Sequence, residues 1–599
     1  MSSAQTTSKA DFDVIIIGAG ISGINAAYRV QTELPNASYT ILEARDTIGG
    51  TWDLFRFPGI RSDSDLHTFG FQWRPWQAKK AYADGGMILD YIKDAAATYG
   101  IDKKIQYHHH LTAADWSSGD QLWNLQVTAN GEPKTLTAHF CIMSTGYYDY
   151  AKPLDVEIPG LENFKGTVVH PQFWPEDLDY SGKDMVVIGS GATAVTLLPV
   201  VAETAKHVTM LQRSPSYILV RSSNTLQEII FHAVLPRWLA LKLVRLTWII
   251  LPWIFFRFCK AFPAASKSLV LALTKSHLPK GTKMEPDWVP TYNPWEQRLC
   301  TSPDADFFLG LKTGKSDVVT GTISNVSANA ITLDDGRTLH PDIIVTATGL
   351  RLCFAGAVAL SVDGELFDSP SKYIWKGMMI QDLPNMAFPI GYLHSSWTLG
   401  ADATATMVCR LIKHMQTQNV SAAIPRLALG GKEDMEDSSW KMSKSDLITL
   451  VAGRPHKPNP AETQKYNNTT SIAGRSFRQR ERLTLLTSVN ERSLEDLVPC
   501  KYEKKWKGIK KWTVKRRAVA RNDNGGEKKM LERIHASASL RPVSRSRTLV
   551  SHKSDPVLPR YHGNSQAPLP NEPNPVAQAT PYLICRLKQG IDPNGGSGT

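Results

Sequence analysis

Two glycine-rich turns constrain this chain more than any other feature. The first, G-A-G-I-S-G, places Gly18, Gly20 and Gly23 directly after the strand-like run DVIII and ahead of a helical stretch ending near Glu33. Glycine permits the tight turn and the close approach of a pyrophosphate, and the helix N-terminus offers amides to the anion. Glu43 follows twenty residues after Gly23, in YTILEAR. A carboxylate there accepts from both ribose hydroxyls and repels a 2′-phosphate, which predicts a dinucleotide lacking that phosphate. The second turn, G-S-G-A-T-A, places Gly189, Gly191 and Ala194 after the strand MVVI. Its next strand, HVTMLQRS, ends in Gln212 and Arg213 with no acid. The planar fork of an arginine suits a 2′-phosphate. Two such sites imply electron transfer between them, with FAD the economical ligand of the first and NADPH of the second. The runs STG (Ser144–Gly146) and ATG (Ala347–Gly349) each end an apolar strand and fit the returns between the two domains.

Alternating strand and helix patterns over the first 430 residues predict an α/β protein built from two Rossmann-like domains. The boundaries read as 10–155 for the first part of the FAD-binding domain and 156–222 for the first part of the NADPH-binding domain. A helical insert at 223–300 would shape a substrate site; 301–384 would complete the NADPH-binding domain and 385–430 would return to the first. A basic, Pro- and Ser-rich tail occupies 431–599, with a composition too polar to order itself. The formal charge of +12 belongs to that tail: 451–599 carries 28 Lys and Arg against 12 Asp and Glu. The body therefore shows no basic surplus, and a solvated charge run is expected here, with no nucleic-acid partner.

Seven cysteines with no C-x-x-C exclude a disulfide scaffold and a dithiol redox motif. Together with a polar start lacking a secretory pattern, they point to a reducing, cytoplasmic setting. The tract His108–His110 lacks partners at ligand spacing, so no metal site is expected. The most hydrophobic segment is Ala233–Cys259, whose longest uncharged run, Leu246–Phe256, is too short for a bilayer span. Two readings stay open for it: a buried cap helix over a substrate pocket, or a helix lying in a membrane interface.

Two longer stretches narrow the function. One is G-G-T-W-D-L-F-R-F-P-G-I-R-S-D, from Gly49 to Asp63; the other is F-K-G-T-V-V-H-P-Q-F-W-P, which contains His170, Trp174 and Pro175. With the two glycine turns, they resemble group I Baeyer–Villiger flavin monooxygenases. The stretches RFPGIRSDSDLHTFGFQWRPW, HPQFWPEDLDY, MLQRSPSY and YNPWEQRLC are similar to the ethionamide-activating type of ketone monooxygenase. The resemblance covers about residues 10–425 and stops near Gly430, where the family's C-terminal stretch is absent. It implies that NADPH reduces FAD, that O₂ adds to give a C4a-peroxyflavin, and that the peroxide attacks a ketone carbonyl to give an ester or lactone. It places Gly50, Thr51, Trp52 and Asp63 at the flavin. It pairs Asp63 with a catalytic arginine, for which Arg221 is the nearest candidate, and it gives His170 a role in coupling the two domains. Oxygenation of sulfur (a thioether) or nitrogen is the alternative chemistry. A flavin-binding protein that no longer oxygenates, with a nucleic-acid-binding tail, is the alternative of another class.

Overall fold

The computed structural model describes residues 9–426, except 298, 370, 371, 393 and 394, together with Arg482–Leu485. The tail expected from 431 onward lies, apart from those four residues, outside the described residues.

Each glycine turn joins a buried parallel strand to a helix. Strand β1 (Phe12–Ile17) leads into α1 (Ile21–Glu33) and then β2 (Tyr39–Leu42). β1 runs parallel to β2 on one side and to β3 (Glu132–Met143) on the other. Alternation along β1 sends Val14 and Ile16 into one core and Ile15 and Ile17 into another, so both faces of this sheet are covered. Among the described residues the sheet has nine strands, in the order Glu365–Leu366, Ala359–Val362, His109–Ser117, Leu122–Ala129, β3, β1, β2 and Ile105–Gln106, with Met386–Ala387 added on β3.

The second unit repeats the plan. β4 (Asp184–Ile188) leads into α2 (Ala192–Thr204) and β5 (His207–Gln212). β6 (Ile218–Arg221) then opens the insert, which comprises α3 (Leu226–Val234), α4 (Arg237–Ala261) and α5 (Pro263–His277). β7 (Cys300–Pro303) closes the insert by pairing in parallel with β6. β8 (Ile343–Thr346) returns beside β4, giving the order Ser316–Thr320, β5, β4, β8, Thr167–Val169, all parallel. Among the described residues the last long helix, α6 (Trp397–Gln418), packs on α1, where Arg29 grips Asp402 through two hydrogen bonds of 2.8 Å.

Two expectations need correction. The second domain's return does not extend to 384: Ala359–Val362 pairs in parallel with His109–Ser117 in the first sheet. We therefore place the crossing between Thr346 and Ala359. Nor is α4 a buried cap helix, since only four of its 25 residues are buried. It faces the protein through a narrow buried stripe, Ala240, Val244, Trp248 and Cys259, flanked by half-buried Arg245 and Phe255, and its opposite side is exposed. Its length and mean hydropathy would suit a membrane span, but its uncharged run, Leu246–Phe256, falls short of one. The insert is held to the first domain by polar contacts near that stripe. Arg245 Nη1 donates to the carbonyls of His67 (2.6 Å) and Gly70 (2.9 Å), and buried Glu228 lies 3.6 Å from His67.

Asn385 joins the strand bearing Met386 to the end of the described chain. Fully buried, it donates to the carbonyls of His139 and Ser421 (2.8 Å each) and accepts from the Ala423 amide at 2.7 Å. Asn385→Ala strands these backbone groups out of reach of water and should cost about 2–4 kcal/mol in urea unfolding.

Candidate active site

The glycine turns are built where two backbones nearly touch. A Cβ on Gly18 (φ +100°) would fall 2.6 Å from the Ser144 carbonyl oxygen, and one on Gly189 (φ +138°) 2.3 Å from that of Ala347. Both contacts are with the STG and ATG runs that follow β3 and β8. A Cβ on Gly23 would lie 1.9 Å from the Gly18 carbonyl oxygen, so α1 can cross β1 this closely only with glycine there. α1 and α2 start at Gly20 and Gly191, neither of which caps its helix with a side chain. Ala194 is fully buried beneath the second turn.

Glu43 follows the end of β2, buried, and accepts from the amides of Ala19 (2.7 Å) and Arg45 (3.0 Å). A carboxylate has about four acceptor sites, so capacity for ribose hydroxyls remains. Ser144 Oγ beside Gly18 is buried and has no hydrogen-bond partner among the described residues. An unsatisfied hydroxyl, uncapped helix amides and an oriented carboxylate around a turn with no room for side chains fit a dinucleotide such as FAD. Gly50 lies against Gly20, with its would-be Cβ 3.2 Å from the Gly20 Cα. Thr51 Oγ1 is 2.9 Å from the Tyr150 hydroxyl, and Trp52 packs edge-on against Phe69. Asp53, buried one residue on, holds Arg45 and Arg56. At the second turn Arg213 is exposed just past β5, whereas Gln212 is turned inward onto the Asp287 carbonyl (2.8 Å) and Thr320 Oγ1 (2.9 Å). Of that pair, only Arg213 is placed to meet a ligand from solvent.

Asp63 and Arg221 are drawn into one neighbourhood by a segment that sequence spacing did not single out. The Ser62 amide donates to the Ala83 carbonyl, and the Ala81 amide to the Ser223 carbonyl. Tyr82, between them, is buried, which raises its pKa, and its hydroxyl feels the charges of Arg221, Asp65, Asp63 and Asp304. Arg221 ends β6 half-buried, its guanidinium carbon 5.8 Å from the centre of the Phe255 ring of α4. Tyr82 carries no periodic or motif signal in the sequence; only the fold reveals it.

His170 lies where the two crossing segments meet. The Asp149 amide donates to the Arg351 carbonyl (2.8 Å), the Cys353 amide to the Tyr147 carbonyl (3.0 Å), and Gln172 Nε2 to the Asp149 carbonyl (2.7 Å). His170 Nδ1 accepts from the Gln172 amide at 3.2 Å, and its buried Nε2 has no hydrogen-bond partner among the described residues. Burial lowers its pKa below 6.5, against a smaller opposing effect from the Gly349 backbone. The folded protein therefore resists protonating this ring. Stability that is full above pH 6.5 is lost as pH falls toward the lowered value. The stability of the parent relative to His170→Asn should shrink as pH drops from about 7.5 to about 5.5, read from urea midpoints.

Among the described residues no group of three His, Cys, Asp or Glu side chains could hold a metal ion.

Residues 15–230 match the family described as pyridine nucleotide-disulphide oxidoreductase. The chain is 45% identical over 413 residues to the FAD-containing monooxygenase EthA of Mycobacterium tuberculosis, covering 69% of this chain and 84% of that protein. It is 44% identical over 425 residues to EthA of Mycolicibacterium smegmatis, covering 69% and 85%. Among solved structures, the fold is similar to OTEMO in complex with FAD and NADP (TM-score 0.59, 19% identity, 74% of this chain and 92% of that one). It is also similar to ε-caprolactone-bound cyclohexanone monooxygenase (TM-score 0.60, 18% identity, 74% and 94%). The glycine turns, the buried Glu43 and the extent of these likenesses lead to one conclusion: the chain belongs to the family of FAD-containing monooxygenases that includes EthA.

Proposed function

We propose that the protein uses NADPH and O₂ to insert one oxygen atom beside a ketone carbonyl of a small molecule, giving an ester or lactone. The observation that carries the proposal is the gathering of Asp63, Tyr82 and Arg221 at the junction of the first domain and the insert. FAD, when bound, supplies the redox and oxygen-activating chemistry. The Gly18–Gly23 turn and Glu43 would hold its pyrophosphate and ribose, with Gly50, Thr51 and Trp52 alongside. Gly189, Gly191 and Ala194 would form the matching cradle for NADPH, and Arg213 would reach the 2′-phosphate.

The half-buried guanidinium of Arg221 is a fixed positive charge for oxyanion character developing on the ketone oxygen. Phe255 shields one side of it from water, which strengthens that attraction. Asp63 would set the arginine's position and charge balance. His170, held neutral by burial, would brace the two crossing segments and not move a proton.

Two substitutions separate these roles. Arg213→Ala removes a charge-assisted contact worth about 1.5–3 kcal/mol, so the KM for NADPH should rise roughly ten- to a hundredfold while that for NADH hardly moves. Equal effects on both would show that Arg213 does not read the phosphate. Arg221→Ala should leave flavin content and anaerobic reduction nearly intact but slow ester formation about 10²–10³-fold, diverting electrons to hydrogen peroxide. Asp63→Ala should give a milder form of the same defect. Parent rates of ester formation in Arg221→Ala would place the catalytic cation elsewhere.

A further inference from the structure

The insert presents a surface that the proposed chemistry does not use. On α4 the stripe opposite Ala240, Val244 and Trp248 runs Lys242, Leu246, Ile250, Trp253, Arg257, a spacing that aligns them on one helix face. Leu246, Ile250 and Trp253 are 47%, 41% and 52% exposed. Ile229 of α3 and Leu269 of α5, the two helices packed against α4, are also exposed. Exposed apolar surface extending over three helices marks an interaction site.

Charge selects the occupant. Between Ile229 and Met284 the sequence has nine Lys and Arg and no Asp or Glu. Lys242 and Arg257 bracket the apolar centre of α4, and Lys275, Lys280 and Lys283 add exposed charge on and beyond α5. A second copy meeting this face by two-fold symmetry would set cations against cations. The chain's own segment 451–599 is unsuited for the same reason, with 28 Lys and Arg against 12 Asp and Glu. An anionic bilayer surface satisfies both needs: headgroups for the cations, acyl chains for the apolar centre and an interface for the exposed indole.

We infer that α3–α5 dock the protein on anionic lipid, with α4 lying in the plane of the interface. Spanning is excluded by the helix's other face. Arg245 is committed to the His67 and Gly70 carbonyls, and the uncharged run Leu246–Phe256 is 11 residues, about 16 Å of helix against a hydrocarbon core of about 30 Å. Phe255, on the inward side, faces Arg221, so the docked surface and the candidate catalytic arginine lie on opposite sides of one helix.

The test is flotation of the full-length protein with vesicles of phosphatidylcholine alone or mixed with phosphatidylglycerol. The parent should float with the anionic mixture, and Ile250→Asp with Trp253→Asp should weaken partitioning about tenfold or more. Lys242→Gln with Arg257→Gln should also weaken it and reduce its salt sensitivity. Parent-like flotation of the doubly acidic variant would overturn the inference and assign binding to the basic tail; failure of the parent to float would overturn it outright. Should the acidic variant misfold, the parent alone decides. Chain-brominated lipids should quench its tryptophan fluorescence, and less so in Trp253→Phe. Flotation without quenching would mean adsorption to headgroups and would contradict the insertion of α4.

Discussion

The structure depends on two places where one backbone leaves no room for a side chain on another. At Gly18 the obstacle is the Ser144 carbonyl; at Gly189 it is that of Ala347. In each case the glycine turn of a candidate nucleotide site is wedged against the segment leaving the same sheet's return strand. The wedge holds the helix N-terminus over the strand ends, where a pyrophosphate can approach, and it fixes the level at which the chain crosses between domains. Adding a methyl group at either glycine would displace both the cradle and the crossing.

Those crossings are themselves paired. Tyr147–Asp149 and Arg351–Cys353 run side by side, tied by backbone hydrogen bonds and by the Asp149–Arg351 ion pair at 3.4 Å. His170 and Gln172 close over this strap from the second domain. Any rotation of one nucleotide domain against the other must bend the strap or break its hydrogen bonds. The half-buried imidazole at that location favours its uncharged form, since charge there would lose part of its solvation. The insert follows a comparable logic: Arg245 and Glu228 anchor its inner face by polar contacts, leaving its outer face uncovered.

What was legible in the sequence was local. A glycine turn, the acid twenty residues later and an arginine in place of an acid are all properties of short segments, and the resemblance supplied Asp63 and His170 by motif. What escaped reading depends on distant segments meeting. Ala359–Val362 looks like any short strand; only its pairing with His109–Ser117 assigns it to the first sheet. Tyr82 joins Asp63 and Arg221 because Ala81 and Ala83 hydrogen-bond to two separate loops. The hydrophobicity of α4 was evident, but an apolar helix reads alike whether it faces a core or the outside, and its exposure could be learned only from the packed structure.

We propose that one chain holds FAD and NADPH in separate cradles and passes electrons from the second to the first. The most direct test is to purify the full-length protein, record its flavin spectrum, and mix it without oxygen with NADPH or NADH at equal concentration. The account predicts a bound flavin that NADPH bleaches far faster than NADH and whose absorbance returns on admitting air. A flavin reduced equally by both nucleotides, or by neither, would contradict it.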